Sequence, residues 1–452
     1  MNGKASTTTR SCFILIFILV DFTFSHSNLD LDNAGDCTGK WIHIRRIPPR
    51  FNLDLLSNCS DYPLLEDLCP HIGNHGLGQK THNKSHSWFR TDPQMLELIF
   101  HRRILEYPCL TNDPSSADAV FLPYYASIDA LKYLYGSDVN FSSQHGIDLY
   151  RFLQNNQPEI WRRRSGHDHF LVMARQAWDF SQPIDNDPPV WGTSFLELPE
   201  FFNVTALLPE ARAWPWQEQA VPYPTSYHPA NLALFESWCR RARRSSRTSL
   251  MLFAGGGGGG SSPTPNIRRS IRLECENVTS KHSSSSSSVY GYTKLCDVVD
   301  CGNGKCAHDP ILYMRPMLQA TFCLQPPGDT PTRRSTFDSI LAGCIPVFFE
   351  DQSAKSQYTW HLPEEVYPEF SVFIPKEEVV YKGLKIVDVL MAIPRDEVRR
   401  MREKVVELMH RIIYKKHGSS LGMRTKMDAF DIAVDGVLSR IKAKISGELE
   451  AQ

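Results

Sequence analysis

The chain predicts an α/β fold of two domains, and three observations carry that reading. Residues 322–349 read as strand, tight loop, helix and strand. Short buried-strand patterns alternate with helical ones on both sides of about residue 230. A chain of 452 residues is long enough for two hydrophobic cores.

Lys4 and Arg10 precede the apolar run 12–20, and Asp30, Asp32 and Asp36 follow it. That order favours a cytosolic N-terminus and a lumenal body. The run is shorter than the ~20 residues of a membrane span. Taken alone it reads as a signal peptide, with small residues near Ser25 and Ser27 for cleavage. Residues 41–47 alternate like a first strand. Asp92 and Pro93 open a helix to about Tyr107, with Met95, Leu96, Leu98, Ile99 and Ile104 as its apolar positions. Residues 117–125 and 170–173 are buried strands, and 231–247 a helix leading into the second domain.

Residues 250–254 are that domain's first strand, and glycines 255–260 follow directly. A glycine-rich loop after a strand suits a phosphate. Six consecutive glycines without a Gly-x-x-x-x-Gly-Lys-Ser pattern read first as low-complexity slack, as does the serine run 283–288. In the 322–349 segment the proline-rich loop 326–331 stops the strand. Thr332 or Ser335 is placed to cap the helix, and Gly343 stands where its end needs a positive φ. A loop at the carboxyl end of a strand, feeding a helix N-terminus, is where α/β folds take phosphate. Arg333 and Arg334 stand at that helix start and Asp338 about one turn later, while Gln325, Gly328 and Ser335 line the same loop. Diphosphate ligands and a ribose-hydroxyl acceptor within one segment point to a nucleotide-sugar site. Residues 370–375 are a further strand, and Pro394 begins a helix to about Tyr414. Residues 427–445 close the chain as an amphipathic helix on Phe430, Ala433, Val434, Val437, Leu438 and Ile441.

Apolar content of 42% and charged content of 22% are ordinary for a globular protein, and a net charge of −1 removes the electrostatic case for nucleic acid. The basic run 240–244 reads as a solvated helix end. Sequons at Asn58, Asn83, Asn140, Asn203 and Asn277 fit a lumenal route. Of twelve cysteines, Cys12 lies in the leader, so at least one of the rest is unpaired. Cys37, Cys59, Cys69 and Cys109 can pair with one another, Cys296, Cys301 and Cys306 can supply a loop disulfide, and Cys323 and Cys344 read as packed thiols. His71/His75, His82/His86 and His167/His169 lack the partners of a zinc signature, and Asp185 and Asp187 sit in a proline-bounded loop, so no metal is expected.

Separated stretches resemble the exostosin-like glycosyltransferase family 47, and more narrowly its xyloglucan galactosyltransferase branch. They are residues 68–78 (Leu-Cys-Pro-His-Ile-Gly-Asn-His-Gly-Leu-Gly), 109–113, 119–126, 168–172 (Asp-His-Phe-Leu-Val), 178–180 (Trp-Asp-Phe), 222–229 and 358–363, besides the 322–349 segment. They keep the family's order over residues 37–433. The resemblance implies a GT-B fold, two Rossmann-like domains with the active site in the cleft between them. Residues 1–36 would be a type II signal-anchor and stem, 37–230 the acceptor-side domain, 231–425 the nucleotide-sugar domain and 426–452 a C-terminal helix and tail.

It further implies inverting transfer without metal or cofactor, in which an acceptor hydroxyl attacks the anomeric carbon and a nucleoside diphosphate leaves. The expected enzyme is anchored in the Golgi membrane and moves galactose from UDP-galactose to xylosyl side chains of xyloglucan, with other cell-wall glycosyltransferases as candidate partners. For the general base, Asp168 and His169 match the Asp-His-Phe motif, with Asp179 and the His71–Asn74–His75 loop as rivals. His71, Asn74, Tyr124, Tyr125 and His228 are the acceptor-side candidates, and Trp214, Trp216 and Trp360 offer flat faces to sugar rings. Two departures from the branch stand out: His167 for an arginine, and Glu350-Asp351 for histidine and proline beside the donor loop. The second keeps a galacturonic acid or arabinose donor open. A non-catalytic carbohydrate-binding subunit is the alternative of another class.

Overall fold

The computed structural model describes residues 36–449 apart from 58, 61, 63–66, 83–84, 135–141, 185–190, 213–215, 257–265, 283–290, 303–304 and 307–308. The leader, the sequons at Asn58, Asn83 and Asn140, Asp185 and Asp187, Trp214, glycines 257–260 and the serine run lie outside the described residues. No described helix is long and apolar enough to cross a membrane.

Two five-stranded parallel sheets organise residues 37–449, as the α/β reading expects. The first runs β1 (Ile42–Ile44), β2 (Ala119–Phe121), β3 (His169–Val172), β4 (Thr205–Leu208) and β5 (Glu218–Ala220), side by side in chain order. The second contains β6 (Ser249–Gly255), β7 (Lys294–Asp300), β8 (Ala320–Gln325), β9 (Ile345–Phe348) and β10 (Val372–Phe373), in the order β10-β9-β8-β6-β7. Its order reverses between β6 and β8, and α/β sheets open a ligand crevice at such a switch point. Strands β2, β3, β4, β8 and β9 are buried at every position. That is the pattern of parallel strands covered on both faces.

The helices used below are α1 (Leu96–Ile104), α2 (Ala126–Ala130), α3 (Ile147–Asn155), α4 (Pro158–Arg162), α5 (Leu232–Arg244), α6 (Ile267–His282), α7 (Pro310–Gln319), α8 (Arg334–Leu341), α9 (Arg395–Ile412) and α10 (Ala429–Ser446). Asn231 caps α5 by accepting from the Leu234 N–H at 2.9 Å. Phe235, Trp238, Cys239 and Ala242 then bury one face of it. Helix α8 is too short to be stable alone and is held by Phe337, Ile340 and Leu341 in the core. Its expected cap differs. Arg333 is the capping residue without a side-chain bond, because the Thr332 hydroxyl goes to Glu210 and the Ser335 hydroxyl to Gln325.

The last helix returns to the first sheet. Phe430, Val434, Val437 and Ile441 of α10 pack with Phe100 and Ile104 of α1 on the Phe121, Phe170, Val172 and Leu207 side of that sheet. Leu171, Ala206 and Leu208 face the other way, toward Leu149, Leu153 and Trp161 of α3 and α4. Asp428 and Asp431 cap α10 reciprocally. The same Asp428 carboxylate takes Arg103 of α1 at 2.6 Å and the Lys415 N–H at 2.6 Å, while Lys415 Nζ reaches Asp431 at 2.7 Å. Burial alone would raise the Asp428 carboxyl, but Arg103 and Lys415 outweigh it and hold it at about 2. Burial and the Asp428 charge raise Asp431 to about 6.

Disulfides join Cys37–Cys109, Cys59–Cys69, Cys275–Cys296, Cys301–Cys306 and Cys323–Cys344. Cys323 and Cys344 are therefore not packed thiols: pairing of β8 with β9 brings their Cα atoms within 5.8 Å. The unpaired cysteine among the described residues is Cys239, buried in α5. Asn277 is exposed on α6, and Asn203 donates its amide to the Ser165 carbonyl at 3.1 Å.

Replacing Arg103 by leucine leaves Asp428 buried without its guanidinium. Stability should fall by about 3–5 kcal/mol, read as a lower urea midpoint. An unchanged midpoint would show that Lys415 alone satisfies the carboxylate.

Candidate active site

Parallel strands gather their loops at the carboxyl edge, and here the carboxyl edges of the two sheets meet. Glu210, after β4, accepts from the Thr332 N–H at 2.8 Å and also from the Thr332 hydroxyl. Tyr223, after β5, lies 3.0 Å from that hydroxyl. Gln357 exchanges two 2.9 Å hydrogen bonds with the Ala211 backbone, and the Tyr358 hydroxyl donates to the Pro209 carbonyl at 2.8 Å.

On the second side, β8 ends at the buried Gln325, whose side-chain oxygen accepts from Ser335 at 2.6 Å. Gly328 follows in the loop. A Cβ there would lie 1.7 Å from an Arg333 nitrogen and 2.7 Å from an Arg268 nitrogen, so both guanidinium groups cross the space a side chain would fill. Arg268 donates to the Pro327 carbonyl at 2.9 Å, and Arg272, one turn on, to the Gly255 carbonyl at 3.1 Å. Burial, then the neighbouring Arg333 charge, lowers the pKa of Arg268, with Asp329 opposing them. Three arginines thus converge on the ends of β6 and β8, beside the switch point. This arrangement suits a diphosphate.

Arg268 and Arg272 escaped the sequence reading. Their signal was arginines four apart in the first turns of the helix after the glycine run. Gln325, Gly328, Arg333 and Ser335 come together as that reading expected. Arg334 and Asp338 do not join them. At the first position of α8, Arg334 turns inward to the Thr91 carbonyl (2.8 Å), Ser226 (2.7 Å), Tyr313 (3.2 Å) and Asp338 (3.4 Å). Asp338 is buried beneath it, and burial, offset in part by Arg334, raises its carboxyl to about 6. The pair clamps α8 to the first half, and Asp338 is too deeply buried to meet a ribose.

The expected bases Asp168 and His169 are at the wrong end of their strand. β3 starts at His169 and is four residues long, which puts both groups roughly 10 Å from the carboxyl edge. Each is fully buried. Asp168 takes Arg163 at 2.7 Å and His169 at 2.6 Å, and the imidazole packs on Trp161. His167 is at the same far edge, against Trp216.

The acceptor-side candidates are likewise engaged within the fold. Tyr124 donates to Asp129 at 2.6 Å, and the Tyr125 hydroxyl lies 2.9 Å from His101. His228 is buried between the Tyr414 carbonyl and Thr91. His71 meets the Arg90 carbonyl, Asn74 closes its own turn on the Gly78 carbonyl, and His75 packs on His417. Trp360 lies against Gly436 of α10. Glu350, after β9, is ion-paired with Lys376.

The carboxyl edge of the first sheet presents a different set. Asp179, 7% exposed, receives Arg175 at 2.6 Å and the Trp191 indole N–H at 2.5 Å. Trp178 donates its indole N–H to Glu210 at 2.8 Å, which puts it one carboxylate away from Thr332 and Arg333. Behind them Glu97, in the first turn of α1, accepts from the Ser127 N–H at 2.7 Å, and the Ser127 hydroxyl accepts from the backbone of Ala174 and Arg175. Glu97 is 2% exposed, and burial raises its carboxyl to about 8.

The exostosin GT47 domain model matches residues 36–390. A probable xyloglucan galactosyltransferase of Arabidopsis thaliana, GT19, is 64% identical over 91% of this chain and 92% of its own length. The xyloglucan galactosyltransferases MUR3 and XLT2 of the same plant are 37% and 36% identical. These alignments cover 95% and 90% of this chain, and 68% and 76% of the relatives.

Gly328→Ala should displace the ends of Arg333 and Arg268 while leaving the fold intact. Affinity for UDP should drop about tenfold, the worth of one charge-assisted hydrogen bond, as measured by calorimetry; unaltered affinity would place the diphosphate elsewhere. Glu97 generates a pH-dependent expectation. The unfolded chain releases this proton near 4.5, the folded one near 8. Stability therefore declines as pH rises between those values and levels off above them. Glu97→Gln should raise the thermal midpoint at pH 8 and not at pH 4.5; an equal effect at both would refute the assignment.

Proposed function

Because the chain belongs to the exostosin GT47 family, we propose that it is an inverting glycosyltransferase that moves galactose from UDP-galactose to xylosyl side chains of xyloglucan. The observation that carries this reading is the arginine cluster over Gly328, at the carboxyl edges that Thr332 and Glu210 join. Arg333 and Arg268, with Arg272 behind them, neutralise the diphosphate as it leaves. Their charge does the work a divalent cation does in other transferases, so the reaction proceeds without metal. Asp179 takes the proton from the acceptor hydroxyl, in the role first assigned to Asp168 or His169. Arg175 and Trp191 fix its orientation. The segment 1–36 anchors the enzyme in the Golgi membrane as a type II protein, with the remainder lumenal and other cell-wall glycosyltransferases as partners.

The test is a donor screen on the full-length protein with xylosylated xyloglucan oligosaccharides. UDP-galactose, UDP-galacturonic acid and UDP-arabinose are supplied separately, with and without chelator, and mass spectrometry reads the products. A hexose from UDP-galactose despite chelator is the expected result. A uronate or pentose product would replace the donor, and Glu350 with Lys376 at the end of β9 would be the first residues to exchange. No transfer by protein that binds UDP would sink the catalytic reading. Asp179→Asn should lower kcat by about 100-fold or more with UDP affinity unchanged, whereas Arg333→Ala should weaken UDP itself.

A further inference from the structure

Two of the most water-exposed large aromatic rings in the described chain stand at the carboxyl edge of the first sheet. Trp178 is 52% exposed and Trp191 48%, more than any other described tryptophan. Each indole N–H is already committed to a carboxylate, Trp178 to Glu210 and Trp191 to Asp179. What they offer is therefore the flat faces of the rings, not their polar edges. Their backbones are also pinned together. The Trp191–Gly192 backbone runs against Trp178–Asp179: a Cβ on Gly192 would lie 3.0 Å from the Asp179 carbonyl and 3.1 Å from the Trp178 carbonyl. At φ +109° this position takes glycine. The Thr193 N–H then donates to the Asp179 carbonyl at 2.8 Å.

We infer that Trp178 and Trp191 form the platform on which the β-linked glucan backbone of the acceptor lies. This rests on the transferase reading above and extends it from the reacting hydroxyl to the chain that bears it. A pyranose in an equatorially linked chain has apolar C–H faces and a rim of hydroxyls. The two exposed indoles would bury the first, and the rim would meet Arg175, Gln176 and Asp179 on the same loop. The platform continues into the cleft, since Trp178 and Thr332 share Glu210. A neutral, flat, repeating ligand fits this surface better than a peptide, which would leave its amides unpaired over bare rings.

The experiment separates glucan binding from transfer. Full-length protein in detergent is titrated with an unsubstituted cello-oligosaccharide by calorimetry, and with UDP in parallel. The platform requires measurable glucan binding that Trp178→Ala and Trp191→Ala each weaken about tenfold. UDP affinity should stay the same, while the unfolding midpoint drops in both, because Glu210 and Asp179 each lose an indole donor. Trp191→Phe, which keeps a flat face and loses the Asp179 bond, should retain most of it. Wild-type protein that ignores the oligosaccharide, or alanine variants that bind it as the wild type does, would overturn the platform. In the transfer assay, an acceptor KM unchanged in the alanine variants would overturn it too while the transferase reading stood. Glucan binding lost in the variants of a protein that transfers no sugar would leave the platform and remove the transferase.

Discussion

The cleft depends on how the Glu210 carboxylate is satisfied. It is fully buried at the end of β4, and its donors come from opposite walls: the N–H and hydroxyl of Thr332 on one side, the Trp178 indole on the other. A buried carboxylate that loses its donors costs several kcal/mol. Displacing the 326–333 loop would strand Glu210, so the loop with Arg333 and the wall with Asp179 keep one register. The Gln357–Ala211 pair and the Tyr358–Pro209 bond reinforce the contact with neutral groups.

A second constraint acts from behind. On one face of the first sheet α1 is joined by α10, which comes from the far end of the chain to complete the cover. The Asp428 network makes that return specific. A helix with an apolar stripe could slide along the sheet, but Arg103 and the Lys415 N–H fix where its first turn sits. Arg334 repeats the device on a smaller scale, since its bonds to Thr91 and Ser226 tie α8 to the first half. Arg333, its neighbour, is thereby held at the cleft.

Much of this was legible in the sequence because it depends on local order. Asn231, Gly343 and Pro394 mark helix ends by backbone chemistry, and the apolar positions of α10 follow its period. What was not legible is direction. Asp168-His169 looked catalytic as a motif, yet a residue at the start of a parallel strand is at the edge opposite the cleft, and only the strand's polarity says so. Arg333 and Arg334 are adjacent in sequence, but Arg333 is the extended cap and Arg334 the first residue of α8, and that change of backbone sends one to the site and the other into the core. Cys323 and Cys344 became a disulfide through strand adjacency, which no spacing rule reveals. Arg268 and Arg272 were hidden by a glycine run that says nothing about where the chain re-enters the sheet.

Trp178 and Trp191 present the opposite problem, since their neighbours are known and their exposure needs a reason. An indole left half in water forgoes about 2 kcal/mol of burial at roughly 25 cal/mol per Å². Two such rings forgo it twice, in a protein whose other described tryptophans are better covered. Packing alone gives no reason to hold both indole nitrogens on carboxylates while leaving the faces out. A ligand that covers the faces does, because it recovers the burial and finds the nitrogens already satisfied. Since one of these carboxylates is the proposed base and the other anchors the 326–333 loop, a chain resting on the indoles would bear directly on Asp179 and Glu210. Acceptor recognition and the alignment of the reacting groups then share one set of hydrogen bonds.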